Sequence, residues 1–112
     1  MSQRAFVERG AAEVAPQLTR LGWDVVAPEA APLESLAEPP DLLVGAISAR
    51  DAGADLRRLA ALHAMAPDLP LVVVAERLDD GAGHAAYEVL IDVPIIRRGS
   101  EQKCLAAAIA AA

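Results

Sequence analysis

The sequence contains little of what several kinds of functional site require. Its single cysteine, Cys104, excludes a disulfide framework and a cysteine-based zinc site. Its three aromatic residues, Phe6, Trp23 and Tyr87, offer few surfaces on which nucleic-acid bases could stack. The net charge is −6, and Lys and Arg form no tract longer than a pair. We therefore expect no binding to nucleic acid, because phosphate contacts need clustered positive charge.

Long apolar runs are missing as well, and we expect no leader segment. The longest apolar runs fall well short of the roughly 18 residues that a membrane-spanning helix needs. The first residues, MSQRAFVE, have no long apolar segment of the kind that directs secretion. His63 and His84 are isolated, without a partner at metal-ligand spacing, so no metal site and no cofactor are expected. These absences predict a cytoplasmic protein without a membrane segment.

What the sequence does contain is a series of short apolar runs separated by helical patterns. Residues 40–48 form a nearly all-apolar run, which is typical of a strand covered on both faces in a parallel sheet. Residues 71–74 repeat this pattern after a proline-containing turn, with a helical stretch between the two runs. Further strands are predicted at 4–7, at 24–27 and within 90–96.

Helices are predicted over 11–21, over 51–65 and from Ser100 onward, with shorter ones around 33–36 and 84–89. Pro16 lies inside the first helix and either begins its regular part or kinks it. In the helix that ends near residue 65, Arg57 and Arg58 are expected to point outward, opposite a buried leucine stripe. Pro94 limits ladder hydrogen bonds, which predicts that the last strand lies at a sheet edge.

Strands and helices thus alternate along a chain of 112 residues, which predicts one α/β domain over 1–112. We expect a flavodoxin-like, doubly wound (βα)5 parallel sheet with strand order 2-1-3-4-5, covered on both faces as a three-layer sandwich. The alanine-rich C-terminal helix has no stop signal. We therefore expect the domain to be a piece of a larger signalling protein.

Several segments resemble the receiver domain of bacterial response regulators, in matching order and over nearly the whole chain. LGWDVVA at 21–27 resembles the junction between the first helix and the second strand, and PDLLV at 40–44 resembles the third strand. LRRL at 56–59 and PDLPLVVV at 67–74 resemble the third helix and fourth strand. The resemblance implies a CheY-like domain of two-component signalling, with a histidine kinase or response regulator as partner. We expect no enzyme, because no histidine is placed beside Ser48 to form a nucleophile and base pair.

The residues that carry phosphorylation in that family are replaced in this sequence. The resemblance assigns the phosphoacceptor aspartate to Ala46, and the hydroxyl that contacts the phosphoryl group to Ala75. Glu8 stands beside Arg9 where the family has an acidic pair for magnesium, and an adjacent cation disfavours Mg²⁺. Arg98 lies where the family has a lysine. The sequence therefore predicts a degenerate pseudo-receiver that acts as a protein–protein interaction module, for example within a hybrid histidine kinase.

Two alternatives to this prediction remain open. Asp51, beyond the third strand, could accept a phosphoryl group, although its expected role is that of an acid at a helix N-terminus. Arg97 and Arg98 lie at the carboxyl end of the last strand, where ligands approach such sheets, and guanidinium groups bind phosphates bidentately. Some receiver-like domains bind cyclic di-GMP on this side, so Arg97, Arg98 and Gln102 are candidate ligand-binding residues. A solvated or ion-paired role is the competing interpretation of the two arginines.

Overall fold

One sheet of five short strands organises the fold. The computed structural model describes residues 3–27, 40–76, 90 and 93–111. The strands are β1 (Arg4–Val7), β2 (Asp24–Val26), β3 (Leu42–Ile47), β4 (Leu71–Ala75) and β5 (Ile95–Arg97). They lie in the order β2-β1-β3-β4-β5, and each pairing is parallel. The predicted flavodoxin-like strand order is confirmed.

The helices of the described residues are a 3₁₀ helix (Arg9–Val14), α1 (Ala15–Arg20), α2 (Ala52–Met65) and α3 (Glu101–Ala111). Pro16 lies in the first turn of α1, where its missing N–H costs little, so the regular helix begins there rather than being kinked. Gly22 follows the end of α1 with a φ of 95° and stops the helix, close to the end predicted at residue 21. The helices predicted around 33–36 and 84–89 lie outside the described residues. No helix among the residues described has the length and apolar character needed to cross a bilayer.

Helices cover both faces of the sheet. On one face, α1 and α3 pack through Leu18 and Leu105, which are buried in one apolar cluster. On the other face, α2 packs through Leu59, with Leu56 and Leu62 beside it, so the predicted leucine stripe is confirmed. Every residue of β3 and β4 is buried, as expected for strands between two helical layers.

The strand registers bring the carboxyl ends of the strands to one edge of the sheet. Ala75, the last residue of β4, pairs with Ile47 on one side and with Arg97 on the other. On β1, the last residue Val7 pairs with Val44. The side chains that follow β1, β3, β4 and β5 therefore meet at this edge, which we call the carboxyl edge.

Among the described strands, β5 lies at the border of the sheet and pairs only with β4. Pro94 precedes it, and the Pro94 carbonyl accepts a hydrogen bond from the Val73 N–H at 3.0 Å. Proline contributes an acceptor here but has no N–H to donate to a further strand. The edge position predicted from Pro94 is confirmed.

Candidate functional site

A cleft of about 530 Å³ opens at the carboxyl edge of the sheet. It brings together charged side chains from α2 and from the segments that follow β1, β4 and β5, with Ser48 from the segment after β3. The residues that line it are Glu8, Arg9, Gly10, Glu13, Ala46, Ser48, Asp55, Arg58, Glu76 and Arg98. Three sequence-predicted positions, Glu8, Ala46 and Arg98, therefore share one cleft, while Ala75 is buried at the end of β4.

Ala46, near the end of β3, is 7% exposed and lines this cleft. Its backbone N–H donates to Glu8 Oε1 at 3.1 Å, so a carboxylate from the end of β1 lies directly against it. Gly10 approaches from the same side, because a Cβ at residue 10 would come within 2.8 Å of the Ala46 Cβ. The side chain offers a methyl group to the cleft, with neither a nucleophilic oxygen nor a metal ligand.

Arg58 of α2 reaches across the carboxyl edge and joins two carboxylates. Its Nη2 lies 2.8 Å from Glu8 Oε1 and its Nε 3.1 Å from Glu8 Oε2, which is a bidentate pair. Its Nη1 donates to Asp55 Oδ1 at 2.7 Å. Nη2 also lies 3.4 Å from the Ala46 carbonyl oxygen. The side chain stays 43% exposed, but its guanidinium lies over the site, which corrects the prediction that it points outward.

Asp55 and Arg58 both have pKa values displaced by this arrangement. Partial burial opposes the charged form of Asp55, but hydrogen bonds from the Ser48 N–H, from Arg58 and from the Ser48 hydroxyl outweigh it and lower the pKa of the carboxyl. Partial burial likewise opposes the charged form of Arg58, while hydrogen bonds to Glu8 and Asp55 raise the pKa of its guanidinium. Both groups are therefore held in their charged forms at neutral pH.

The Ser48 hydroxyl at the carboxyl edge is engaged in local structure. Its N–H and Oγ both donate to Asp55 Oδ2 at 2.9 Å, and its Oγ accepts the Asp51 N–H at 3.0 Å. Among the described residues no histidine lines the cleft, so this hydroxyl has no imidazole beside it to act as a general base. Asp51 is exposed at the N-cap of α2, the predicted helix-terminal position, but its side chain makes no capping hydrogen bond.

Arg98 forms the second charged cluster of the cleft. Its Nε lies 3.0 Å from Glu13 Oε1 and its Nη1 3.2 Å from Glu76 Oε1. Its Nη2 donates to the Gly10 carbonyl at 2.7 Å. The other oxygen of Glu76, Oε2, accepts the Ala49 N–H at 2.6 Å. Arg98 therefore connects the end of β5 to the 3₁₀ helix and, through Glu76, to the loop after β3.

The two neighbouring arginines of β5 and its following turn occupy different surroundings. Arg98 lines the cleft, whereas Arg97 is exposed as the last residue of β5 and is not one of the cleft-lining residues. Gln102 lies in the first turn of α3, and its side chain is outside the part of the structure that is described. Of the three candidate ligand-binding residues, the cleft therefore contains Arg98.

Four members of the site were not predicted from the sequence: Glu13, Asp55, Arg58 and Glu76. Asp55 and Arg58 carried a usable signal, because opposite charges at i and i+3 lie on one side of a helix, and this pair occupies the first two turns after β3. Glu13 lines the cleft because a 3₁₀ helix precedes α1, and no pattern in the sequence predicts that helix. Within the described ranges, no group of three or more His, Cys, Asp or Glu side chains could hold a metal ion.

Comparison with known proteins gives structural relatives. The sequence matches no protein-family model and no curated protein. A Burkholderia pseudomallei response regulator, solved with a phosphorylated aspartic acid, calcium and citrate, superposes with a TM-score of 0.70 at 17% identity. The Salmonella typhimurium response regulator RcsB gives 0.73 at 15%, and the phosphorylated cyanobacterial phytochrome response regulator RcpA gives 0.63 at 14%. The chain has the receiver fold of response regulators.

The match extends over nearly all of this chain, but over a smaller part of some relatives. The alignments cover 96%, 98% and 97% of the chain and 66%, 59% and 89% of the Burkholderia, Salmonella and cyanobacterial proteins, respectively. The chain thus spans less than two thirds of the length of the first two. At this level of identity the likeness shows the receiver fold alone. It does not show the chemistry of the site, which depends on the residues of this chain.

Proposed function

We propose that this chain is a pseudo-receiver: a receiver-like domain that does not accept a phosphoryl group and acts by contact with other signalling proteins, such as a histidine kinase or a response regulator. The proposal rests on the presence of an alanine at position 46. It lies at the end of β3 in the cleft of the carboxyl edge, where the family resemblance implies the phosphoacceptor aspartate. A methyl group cannot attack a phosphorus atom, so the central chemical step is lost.

The surroundings of Ala46 support the same proposal. Glu8 has both carboxylate oxygens bound to Arg58, and one of them also accepts the Ala46 N–H. The strand end that the resemblance assigns to a phosphate-contacting hydroxyl carries Ala75, which is 1% exposed. A phosphoryl group would also meet a cleft whose four acidic side chains outnumber its three arginines.

Protein contact is the function that such a fold keeps when its covalent chemistry is gone. By family analogy, the contact face comprises the helix before β5, β5 itself and the last helix, and of these the structure describes β5 and α3. The outer side of α3 presents Lys103, Cys104 and Ala107 to solvent. Small side chains at such positions allow close approach of a partner. We further propose that the domain works inside a larger signalling protein.

A binding experiment with matched variants tests this contact. The isotope-labelled chain is titrated with purified dimerisation domains of histidine kinases and with receiver domains, and amide shifts are followed by NMR. We expect saturable shifts on α3, loss of binding in Ala107→Glu, and normal binding in Ala61→Glu, which puts the same charge on the exposed side of α2. Shifts confined to α2, or equal effects of the two variants, would contradict the proposed face.

The second candidate, a sensor of a phosphorylated ligand such as cyclic di-GMP, stays a prediction. Arg98 lines the cleft, but its guanidinium already bonds Glu13, Glu76 and the Gly10 carbonyl, so a ligand would have to displace these contacts. A titration with cyclic di-GMP, compared in Arg98→Ala and Arg97→Ala, tests it. Saturable shifts that only Arg98→Ala abolishes would favour a ligand in the cleft, and a flat titration would reject it.

A further inference from the structure

Four oxygen atoms from three separate segments surround the guanidinium of Arg58. They are Glu8 Oε1 at 2.8 Å, Glu8 Oε2 at 3.1 Å, Asp55 Oδ1 at 2.7 Å and the Ala46 carbonyl oxygen at 3.4 Å. The two carboxylates are the more buried partners, with side chains 18% and 17% exposed, against 43% for Arg58. Two negative charges and a carbonyl dipole thus converge on one side-chain cation.

We propose that Arg58 acts as a built-in cation, which holds β1, β3 and α2 together at the carboxyl edge in one arrangement that needs no divalent metal ion. The inference deepens the proposed function and rests on it, since a site without phosphoryl chemistry has no use for an exchangeable metal. A guanidinium suits this role because it stays protonated at all physiological pH values and donates in several directions from one plane. Unlike a bound ion, it cannot dissociate.

The hydrogen bonds behind the two carboxylates extend this cluster into the backbone. Glu8 Oε1, held by Arg58, accepts the Ala46 N–H at 3.1 Å, and Asp55 Oδ2 accepts the Ser48 N–H at 2.9 Å. The end of β3 is therefore fixed from both sides through carboxylates that Arg58 positions. Hydrogen bonds from backbone N–H groups to ionised carboxylates are about twice as strong as bonds between neutral groups.

Arg98 links other segments of the carboxyl edge in a similar way. It connects the end of β5 to Gly10 and Glu13 in the 3₁₀ helix, and it contacts Glu76, which in turn accepts the Ala49 N–H. The loops after β1, β3 and β4 are thus all tied by side-chain charges. Arg58 remains the member on which the proposal depends, because it contacts both of the carboxylates beside Ala46 and Ser48.

The amides of Ala46 and Ser48 are direct reporters for an experiment on the whole chain. Amide spectra and hydrogen exchange of the wild type are recorded with Mg²⁺ and with EDTA. We expect no saturable Mg²⁺ shift at either amide. In Arg58→Ala, we expect both amides to shift and to exchange roughly tenfold faster, since their acceptors lose the cation that positions them. Arg57→Ala, one residue earlier on the exposed side of α2, is expected to leave both amides unchanged.

The proposal fails if Mg²⁺ shifts these amides saturably in the wild type, or if Arg58→Ala and Arg57→Ala give equal effects. Arg58→Lys separates charge from geometry, because one ammonium cannot bond both carboxylates in the same forked way, and we expect an intermediate effect. The Mg²⁺ titration of the wild type tests the proposal even if Arg58→Ala does not fold. No phosphodonor or partner is present, so a failure here leaves the proposed function standing, and a phosphorylated chain would refute that function by itself.

Discussion

Gly45 lies in the middle of β3, where a side chain would collide with the core. A Cβ at this position would overlap Leu59 Cδ2 and would come within 3.2 Å of Glu8 Oε1. Leu59 is 0% exposed, so its side chain cannot swing into solvent to make room. We predict that Gly45→Ala destabilises the domain and displaces both Leu59 and the Glu8 carboxylate.

The size of the effect follows from two opposing terms. Overpacking a well-filled core by one methyl group typically costs about 1–3 kcal/mol. Removing a glycine from a strand returns about 0.5–1 kcal/mol, because the unfolded chain loses conformational freedom. Taken at the middle of each range, the net loss in the free energy of unfolding should be about 1 kcal/mol, out of the roughly 5–15 kcal/mol that such domains have.

Gly53→Ala is the matched control, because it makes the same substitution in the first turn of α2. A Cβ there would meet Arg57 Nη1 at 3.7 Å, which is ordinary contact, and alanine favours the helix by about 0.5–1 kcal/mol. Urea unfolding measures both variants, with a slope of about 1–3 kcal/mol per molar urea. The two midpoints should move in opposite directions and differ by about 1 M.

The reasoning would be refuted if Gly45→Ala were as stable as the wild type or more stable. A stabilisation by both substitutions would mean that Leu59 can repack without cost, so that the contact between β3 and α2 is looser than the structure has it. The Ala46 amide shift gives a second check, because its acceptor, Glu8 Oε1, lies next to the new methyl group.

Three further predictions concern the charges and the core. Asp55 has a lowered pKa, so its carboxylate stabilises the fold above about pH 4 and loses this effect as the pH falls through the folded-state pKa. The cost of Asp55→Asn in thermal melts should therefore be present at pH 7 and fade toward pH 2; a constant cost would contradict this. Ala46→Asp puts a second carboxylate beside Glu8 and should be about 1 kcal/mol less stable than Ala46→Asn at pH 7 in urea, with the difference closing in acid. Equal stability of the two variants at pH 7 would contradict this and would mean that Arg58 neutralises both carboxylates. Leu105→Ala should cost about 2–5 kcal/mol, and Leu21→Ala, at a side chain that is 51% exposed, well under half of that; equal shifts in melting temperature would argue against the assigned core.

The sheet could be predicted because its strands carry a strong local signal. Residues 42–47 and 71–75 are buried on both faces, so neither shows polar alternation, and the prolines beside them mark where they begin. Gly22 marks the end of α1 because it constrains the backbone by its own chemistry, whereas the sequence left open whether Pro16 begins the helix or kinks it. Ala46 followed from its place in the resemblance to a receiver's third strand.

The charged clusters could not be predicted with the same ease, because they depend on long-range contacts. Glu8 and Arg58 are 50 residues apart in sequence, and Arg98 and Gly10 are 88 apart. Arg58 looked like a solvent-facing residue beside a leucine stripe, yet its long side chain reaches back to the sheet. Arg97 and Arg98 looked like a pair, but they have different surroundings, as neighbours at a strand end often do.

The central claim is that this receiver fold carries no phosphoacceptor, and treatment with acetyl phosphate tests it most directly. The chain is incubated with acetyl phosphate and Mg²⁺ beside a response regulator that has its aspartate, and both are followed by intact-mass spectrometry. We predict a phosphoryl adduct on the control protein and none on this chain. A hydroxylamine-sensitive adduct on the chain, mapped to Asp51 or any other carboxylate, would contradict the claim.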